Sequence, residues 1–362
     1  MKKIISGLVT ITIIFSLMSS FCIAGAESAN TVSQCETGLL NALQTINAAK
    51  NYLKSDDKNK EYLSNLNVGQ GLIQLEGFLI STEKAVLASG QGATNNIISM
   101  LASAEYATKD IENELGQRVK NQLQKVKTNL NITYTPTGNT ASASGLKGFR
   151  DLGNHKWAEN AIMDMSVGDY KGLFSGTCAP DSQGIATFSP DNPITRAEFI
   201  AVVVRAILPE YLAAMPVFYN EPWYKNAYDV AICNNLIQEK SEYPFTPQVL
   251  EAPMPRQEMA LILTRACNLK GEDTDTLAKV SDIADYDTIG DEYKKSVRVA
   301  FSKGLITGKD DKGTFDPYAT LTRAEGAIVL YRLADPINRV FPDYKEKLEQ
   351  GLTVMEMYQI RL

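Results

Sequence analysis

Apolar residues recur at intervals of three and four positions along the first third of the chain. In the first stretch the steps between successive apolar residues are 3, 4, 4, 3, 3 and 4, which is the spacing of one helix face. These residues are Val32, Cys35, Leu39, Leu43, Ile46, Ala49 and Leu53. Similar apolar stretches cover residues 62–87 and 94–130. Because only short turns separate them, we predict that residues 27–131 form a three-helix bundle or stalk.

Two segments are predicted to lie outside the folded domains. At the N-terminus, Lys2 and Lys3 precede an apolar run over residues 4–23 and a small-residue site at 24–26. This pattern predicts a signal peptide at residues 1–26, with an uncleaved membrane anchor as the alternative. No later stretch is apolar enough to predict a membrane span. Residues 132–148 are rich in Thr, Ser and Gly, which predicts a flexible linker.

The second half of the chain contains one motif three times. The motif is Arg-x-Glu preceded by Thr or Pro, and it occurs at residues 195–198, 255–258 and 322–325. A Phe-x-Pro triplet stands upstream of each copy, at residues 188–190, 245–247 and 315–317. Helical patterns precede these triplets and begin near Trp157, Trp223 and Tyr293. The recurrence predicts tandem repeats at residues 149–212, 213–275 and 276–335, followed by a tail at 336–362.

Each repeat is predicted to consist of a helix, a loop and a second helix. The first helix leads to a glycine suited to a left-handed backbone conformation, and Asn235 takes that place in the second repeat. The second helix begins at a threonine with glutamate three residues later, which is a capping box in the first and third repeats. One such unit buries little core, so the three are expected to pack together. The chain is therefore predicted to be all-α.

Composition removes several classes of chemistry. The formal net charge is −6, so we expect no nucleic-acid partner. His155 is the only histidine, which excludes a multi-histidine metal site, and we predict no catalytic residue, metal or cofactor. Four cysteines follow the predicted signal peptide, and sequence cannot choose among their three pairings. Buried free thiols are the simpler interpretation for two of them, Cys233 and Cys267.

The repeats resemble the S-layer homology domain family over about residues 149–335. The resemblance is carried by Asp151, His155, Trp157, the glycines at 172 and 176, and the motif at 194–199. The third repeat matches it from Asp282 to Glu325. The resemblance implies a pseudo-threefold assembly whose grooves bind secondary cell wall polymers, often ending in a pyruvate ketal. Such binding is non-covalent and holds proteins at the bacterial cell surface.

The resemblance also implies which residues contact the polymer. A guanidinium matches a carboxylate with paired N–H donors and stays charged at every relevant pH. Arg196 and Arg323, with Arg256 as their counterpart in the second repeat, are therefore expected to bind the ketal carboxylate, beside the amino-terminal N–H groups of each helix. The other expected contacts are sugar hydroxyls at Asp151 and Asp282, a sugar ring at Trp157, orienting carboxylates at Glu198 and Glu325, and close backbone approach at Gly172 and Gly304.

Each of these roles has a structural alternative. The two glutamates can serve only as helix caps, the arginines can form internal ion pairs, and Trp157 can belong to the core. The second repeat departs from the pattern, with Pro255 in place of threonine, Asn220 in place of the leading aspartate, and no glycine pair around Asn235. We expect its groove to be weakened or inactive.

The leading hypothesis is a secreted, non-catalytic surface protein that displays its helical half and holds the wall through its repeats. Its partner would be a secondary cell wall polymer or a peptidoglycan-linked glycan. The alternatives are an S-layer lattice component, whose residues 27–131 self-associate or bind another protein, and a wall-anchored enzyme. Residues 149–362 carry 23 basic and 31 acidic side chains. An anionic polymer must therefore be recognised by individual arginines and not by a diffuse basic field.

Overall fold

The computed structural model describes residues 31–52, 58–138, 145–239, 241–310 and 312–341. The predicted signal peptide and most of the predicted tail lie outside these residues. Helices predominate in the described part, whose regular strands form one parallel pair, β1 (Gly148–Phe149) and β2 (Ile185–Ala186). The predicted all-α fold is confirmed. No helix within the described residues is both long and apolar enough to cross a membrane.

The N-terminal part forms a bundle that has four helices in its described residues, where three were predicted. They are α1 (Val32–Tyr52), α2 (Lys58–Ser89), α3 (Asn95–Thr108) and α4 (Glu114–Asn129). The third predicted helix is interrupted because the Asn113 side chain accepts a hydrogen bond from the Gly116 N–H at 2.8 Å and so begins α4. The predicted stripe of α1 faces the core, where Leu39, Leu43 and Ile46 are buried.

The segment that follows the bundle is held against the chain at the junction of the first and second repeats. The Thr137 N–H donates to the Met215 carbonyl at 2.7 Å, and the Val217 N–H donates to the Thr135 carbonyl at 3.1 Å. Ile132 is buried in the bundle core. The first half of the predicted linker therefore pairs with folded chain, and residues 139–144 lie outside the described residues.

The remaining helices belong to the three repeats. Those of the first repeat are α5 (Lys156–Ser166), α6 (Arg196–Ile207) and α7 (Pro209–Ala214). Those of the second repeat are α8 (Lys225–Cys233), α9 (Pro247–Leu250) and α10 (Arg256–Leu269). The third repeat has α11 (Asp291–Ser302) and α12 (Arg323–Ala334). Short 3₁₀ turns lie at Val280–Asp282, Tyr286–Thr288 and Pro336–Asn338.

The first helix of each repeat packs against the second helix of the repeat before it. Helix α8 packs on α6, α11 packs on α10, and α5 of the first repeat closes on α12 of the third. Helix α6 also contacts α10 and α12, which brings the second helices together. The contacts thus run in a cycle through the three repeats, whose exact boundaries and pseudo-threefold symmetry remain predictions. Phe188, Phe199, Phe301 and Phe315 are fully buried in this shared core.

The predicted capping boxes are present at the second helices of the first and third repeats. The Thr195 side chain accepts from the Glu198 N–H, and Glu198 accepts from the Thr195 N–H. Thr322 and Glu325 make the same pair of bonds. Pro255, at the start of α10, makes no side-chain cap. A second arginine follows each motif arginine by nine residues and connects the second helix of its repeat to the segment that follows the first helix. Arg205, Arg265 and Arg332 donate to the carbonyls of Leu173, Leu236 and Leu305, respectively.

The ends of the first helices agree with the sequence in two repeats and differ in one. Asn235 has φ 58° and Gly304 has φ 65°, so both adopt the predicted left-handed conformation after their helices. Gly172 has φ 86° but lies beyond the end of α5 at Ser166. At Gly304 an added Cβ would stand 2.7 Å from the Val340 carbonyl oxygen, so the glycine admits the chain's own C-terminal segment.

Replacing Gly304 with alanine should lower the free energy of unfolding by about 1–3 kcal/mol, because the variant combines strain at positive φ with a backbone clash. Urea denaturation measures the loss on the chain without the predicted signal peptide, residues 1–26, which is called the mature chain below. The matched control is Gly77→Ala, since Gly77 lies within α2 and an added Cβ there meets nothing within 4 Å. The control should gain up to about 1 kcal/mol. Equal losses in both variants would contradict the assignment.

Candidate functional site

The three motif loops meet at a ring of backbone hydrogen bonds. The Ile194 N–H donates to the Leu321 carbonyl at 2.9 Å, the Leu321 N–H to the Met254 carbonyl at 3.2 Å, and the Met254 N–H to the Ile194 carbonyl at 2.9 Å. Each of these residues immediately precedes the helix cap of its repeat, and all three side chains are fully buried. The motif residues of different repeats are therefore held next to each other.

The first motif arginine forms a complete pair with a glutamate of the second repeat. Arg196 donates from Nε and Nη2 to the two carboxylate oxygens of Glu258, each at 2.7 Å. The Tyr243 hydroxyl also donates to Glu258 at 3.0 Å. The hydrogen bonds to Glu258 are the largest cause that raises the pKa of Arg196. This guanidinium already makes the bidentate contact that a ligand carboxylate would offer.

The third motif arginine is buried in the first repeat. Arg323 donates from Nε to the Phe188 carbonyl at 2.8 Å, from Nη1 to Glu198 at 2.5 Å and from Nη2 to the Ser175 carbonyl at 3.0 Å. Its guanidinium lies 4.8 Å from the centre of the Phe188 ring. Burial lowers the pKa of Arg323, although Glu198 opposes this shift. Every nitrogen of the group has a partner inside the protein.

The second motif arginine is the least completely paired. Arg256 donates from Nε to the Phe315 carbonyl of the third repeat at 2.6 Å, and its guanidinium lies 5.5 Å from the Phe315 ring centre. The nearest carboxylate oxygen, on Glu325, is 3.9 Å from Nη1, which is beyond hydrogen-bond distance. Within the described part of the chain its outer nitrogens make no hydrogen bond, and its side chain is 7% exposed. Burial is the largest cause lowering the pKa of Arg256.

The side chain of each motif arginine thus contacts a loop of the next repeat in the cycle. Arg196 meets the loop of the divergent second repeat, Arg256 meets that of the third, and Arg323 meets that of the first. The sequence alone could not assign these partners. The structure brings Arg323 and Glu198 beside the first Phe-x-Pro loop, and brings Arg256 and Glu325 beside the third.

The helix starts themselves are already occupied. The backbone N–H groups of Arg196, Arg256 and Arg323 donate to the carbonyls of Ala252, Ala319 and Asn192, respectively, at 2.8–3.0 Å. These bonds cross to the neighbouring repeat and satisfy the first donor of each helix. The first N–H of each helix is therefore engaged inside the protein, and anion binding at these helix starts stays a prediction.

The leading aspartates hold the Phe-x-Pro loops. Asp151 accepts hydrogen bonds from the N–H groups of Phe188 at 2.9 Å and Ser189 at 2.7 Å. In the third repeat these bonds are made by Asp285, which accepts from Phe315 and Asp316, both at 2.7 Å. The residue between Phe and Pro is left-handed in both loops, at φ 58°.

Asp282 is consequently not the counterpart of Asp151. Among the described residues its carboxylate accepts only from the Lys279 N–H, at 3.2 Å, within a 3₁₀ turn. The sequence alignment missed the shift because the loops differ in length: Asp151 stands 37 residues before its Phe and Asp285 stands 30 before its own. In the second repeat Asn220 is exposed, and Thr246 is extended with φ −137°.

The aromatic candidate lies on the surface. Trp157 is 57% exposed, which removes the core alternative for this side chain, and its ring centre lies 6.4 Å from that of His155. His155 contacts Asp191 at 2.8 Å, and Trp223 of the second repeat is 61% exposed. Among the described residues there is no cluster of three or more His, Cys, Asp or Glu side chains that could hold a metal ion.

Comparison with known families agrees with this geometry. A family model described as the S-layer homology domain matches residues 183–200 and 282–327. The chain carries an S-layer homology domain. The matched segments contain the motifs of the first and third repeats and leave out the second, whose loop also differs in structure. The chain is a secreted cell-surface protein attached to the cell wall.

Three relatives share the S-layer homology region. The "Surface-layer 125 kDa protein" of Lysinibacillus sphaericus is 26% identical over 204 residues, or 55% of this chain and 16% of that protein. "Exoglucanase XynX" of Acetivibrio thermocellus is 27% identical over 42% of this chain and 14% of its own length. "Amylopullulanase" of Thermoanaerobacterium thermosulfurigenes is 26% identical over 41% and 8%. The chain thus spans a sixth or less of each relative, and the enzyme-named ones share only this region.

The loop assignment gives a direct test. Asp285→Ala should lower the free energy of unfolding by about 1–3 kcal/mol, because it leaves two partly buried N–H groups without an acceptor. Asp282→Ala is the matched control and should change it by less than about 0.5 kcal/mol. Urea denaturation of both variants measures the difference. A larger loss in the Asp282 variant would restore the alignment predicted from sequence.

Proposed function

We propose that the chain is a non-catalytic anchor that binds an anionic, pyruvylated secondary cell wall polymer at the arginines of its repeats. The observation that carries the proposal is Arg256, whose outer guanidinium nitrogens have no hydrogen-bond acceptor within the described residues. A pyruvate ketal offers one carboxylate, which a guanidinium can bind through two parallel hydrogen bonds. The guanidinium of Arg256 lies 5.5 Å from the centre of the Phe315 ring, so a cation–π interaction stabilises its charge.

The three arginines differ in how readily they can accept the polymer. At Arg196 the polymer must displace Glu258 from a bidentate pair. At Arg323 it must displace one bond to Glu198, while at Arg256 it displaces no hydrogen-bonded carboxylate. The third repeat's loop, built by Asp285 and Phe315 and joined by Arg256, is therefore the preferred site. The divergent second repeat, served by Arg196, is the least favoured.

The surface around these sites supports the remaining contacts. Trp157 offers an exposed ring face beside the first repeat's loop, and such faces suit the apolar side of a sugar. The carboxylates of Asp151 and Asp285 are committed to loop N–H groups, although each carboxylate oxygen keeps a further lone pair for a sugar hydroxyl. Asp282 lies outside this arrangement, and Gly304 admits the C-terminal segment.

Co-sedimentation of the mature chain with purified cell walls, before and after acid extraction of the secondary polymer, tests the proposal. Arg256→Lys keeps the charge but loses the planar fork, so binding should weaken about tenfold or more. Arg332→Lys is the matched control, because Arg332 is a partly buried arginine that bonds a carbonyl away from the ring of backbone hydrogen bonds. Thermal melting establishes that both variants are folded.

Two results would contradict the proposal. Binding that survives polymer extraction would point to peptidoglycan as the ligand. Binding that Arg196→Lys weakens more than Arg256→Lys does would reverse the order of the sites.

A second candidate function, a surface-lattice component, is favoured by an apolar stripe on α2. Ile73, Ile80 and Leu87 are spaced by seven residues and are 62%, 39% and 58% exposed, so they repeat at one position of a coiled-coil heptad and form an apolar seam on this face. An antiparallel second copy centred on Ile80 would place Ile73 opposite Leu87 and exposed Lys84 opposite Glu76. Gly77 lies beside the seam with nothing within 4 Å of an added Cβ, so a partner helix can approach closely.

Sedimentation of the mature chain over a range of concentrations tests this second function. The wild-type mass should rise with concentration towards that of a dimer, and Ile80→Glu should remain a monomer because a charge would be buried in the seam. Val280→Glu, at an exposed apolar residue of the third repeat, is the control and should behave like the wild type. A wild-type chain that is monomeric at every concentration contradicts self-association.

A further inference from the structure

The first helix of the second repeat is enclosed on almost every side. Seven of the nine residues of α8 are buried, including Lys225 at its start. The corresponding helix of the third repeat, α11, leaves Asp291, Glu292 and Lys295 exposed. The additional cover on α8 is the N-terminal bundle, because α8 contacts α1 and α3 as well as α6. The second repeat therefore has a partner that the third lacks in this position.

Bundle side chains bond the end of this helix. Gln44 donates from Nε2 to the Ile232 carbonyl, and Asn47 donates from Nδ2 to the Cys233 carbonyl, both at 2.9 Å. In return the Asn235 side chain donates to the Gln44 carbonyl at 3.2 Å. The last carbonyls of a helix have no partner within the helix. For α8 two of them are capped by residues about 190 positions earlier in the chain.

Asn47 of α1 contacts α8 through its side-chain nitrogen and α7 through its side-chain oxygen. It is 2% exposed, it donates to the Cys233 carbonyl, and its Oδ1 accepts from the Tyr211 hydroxyl at 2.8 Å. A buried amide that is satisfied on both sides fixes its neighbours in one arrangement. The Tyr211 ring in turn packs against Tyr106 of α3, with ring centres 4.1 Å apart.

A charged pair at the other end of α8 is also closed by the bundle. Lys225 and Asp229 form an ion pair at 2.5 Å, and Lys225 donates to Asn96 of α3 at 3.1 Å. Their side chains are 5% and 12% exposed. Such a pair would be solvated if α8 stood at the surface, and its burial without partners would be costly. The bundle supplies one of those partners.

The same repeat has lost the features expected of a polymer site. Its leading aspartate is Asn220, its loop residue Thr246 is extended, and the arginine that reaches it, Arg196, is held by Glu258. We propose that the second repeat has exchanged polymer binding for docking of the N-terminal bundle, which makes the bundle a fixed brace of the anchor and not a tethered module. This inference stands on the contacts of α8 and is independent of which polymer the other repeats bind.

The cysteines report docking directly. Cys233 is 2% exposed and lies in the core of the bundle, whereas Cys267 is buried in the core of the repeats and Cys178 is exposed. Alkylation of the mature full chain with iodoacetamide, followed by mass spectrometry of each cysteine peptide, gives the rate at each site. In the wild type Cys178 should react at least about a hundredfold faster than Cys233, because the Cys233 thiol is accessible only after the bundle opens.

Two variants weaken the interface from opposite sides. Asn47→Ala removes the bonds to Cys233 and Tyr211 together, and Tyr211→Phe removes only the hydroxyl from the repeat side while keeping the ring. Each should accelerate Cys233 labelling at least about tenfold. The matched control is Asn121→Ala, which makes the same change as Asn47→Ala on the exposed face of α4 and should leave the rate at Cys233 unchanged.

The labelling rates distinguish a bundle that is docked on the second repeat from one that is only tethered to it. Acceleration at Cys233 supports docking, and acceleration at Cys267 as well means that the repeats depend on the brace. Wild-type Cys233 reacting at the rate of Cys178 would overturn the proposal, as would unchanged protection in both variants. Wall co-sedimentation of the same variants keeps the two proposals distinct, since loss of docking leaves Arg256 in place and a failed polymer proposal leaves Cys233 protected.

Discussion

Three backbone hydrogen bonds, between residues at the same position of three repeats, are the constraint on which the rest of the structure depends. Ile194, Met254 and Leu321 each donate to another repeat and accept from the remaining one. No repeat can satisfy these buried groups by itself, and unsatisfied buried backbone groups are costly. The first N–H of each motif helix also donates to another repeat, and these bonds run round the cycle in the opposite direction. The three repeats therefore form one unit, and their second helices start from a shared centre.

The ring of backbone hydrogen bonds explains how an acidic domain can bind the anionic polymer that we propose. It places three arginines around one centre, each against the loop of the next repeat, and gives each a different degree of internal neutralisation by Glu258, Glu325 or Glu198. A guanidinium that already holds an internal carboxylate gains little by exchanging it for another. In the polymer binding that we propose, selectivity among the sites comes from the geometry of the internal ion pairs and not from net charge.

Local features could be predicted from the sequence, and contacts between distant segments could not. The capping boxes at Thr195 and Thr322 and the left-handed Asn235 follow from residues a few positions apart, so pattern alone identified them. Asp285 was missed because the loops differ in length, and the partner of Arg196 lies 62 residues away. Docking of the bundle left no distinct sequence signal, because α8 carries Lys225, Asn226 and Asp229 beside its apolar residues, which is the pattern of an ordinary amphipathic helix.

We propose that the anchor recognises a polymer carboxylate through its arginines. The most direct test compares matched cell walls that differ only in the pyruvate ketal, with removal of the ketal under conditions that leave the polymer on the wall. The dissociation constant of the mature chain should rise at least about tenfold on ketal removal, because a charge-assisted bidentate contact is lost. Equal affinity for both walls would contradict recognition of the ketal and would leave the three motif arginines with a purely structural role.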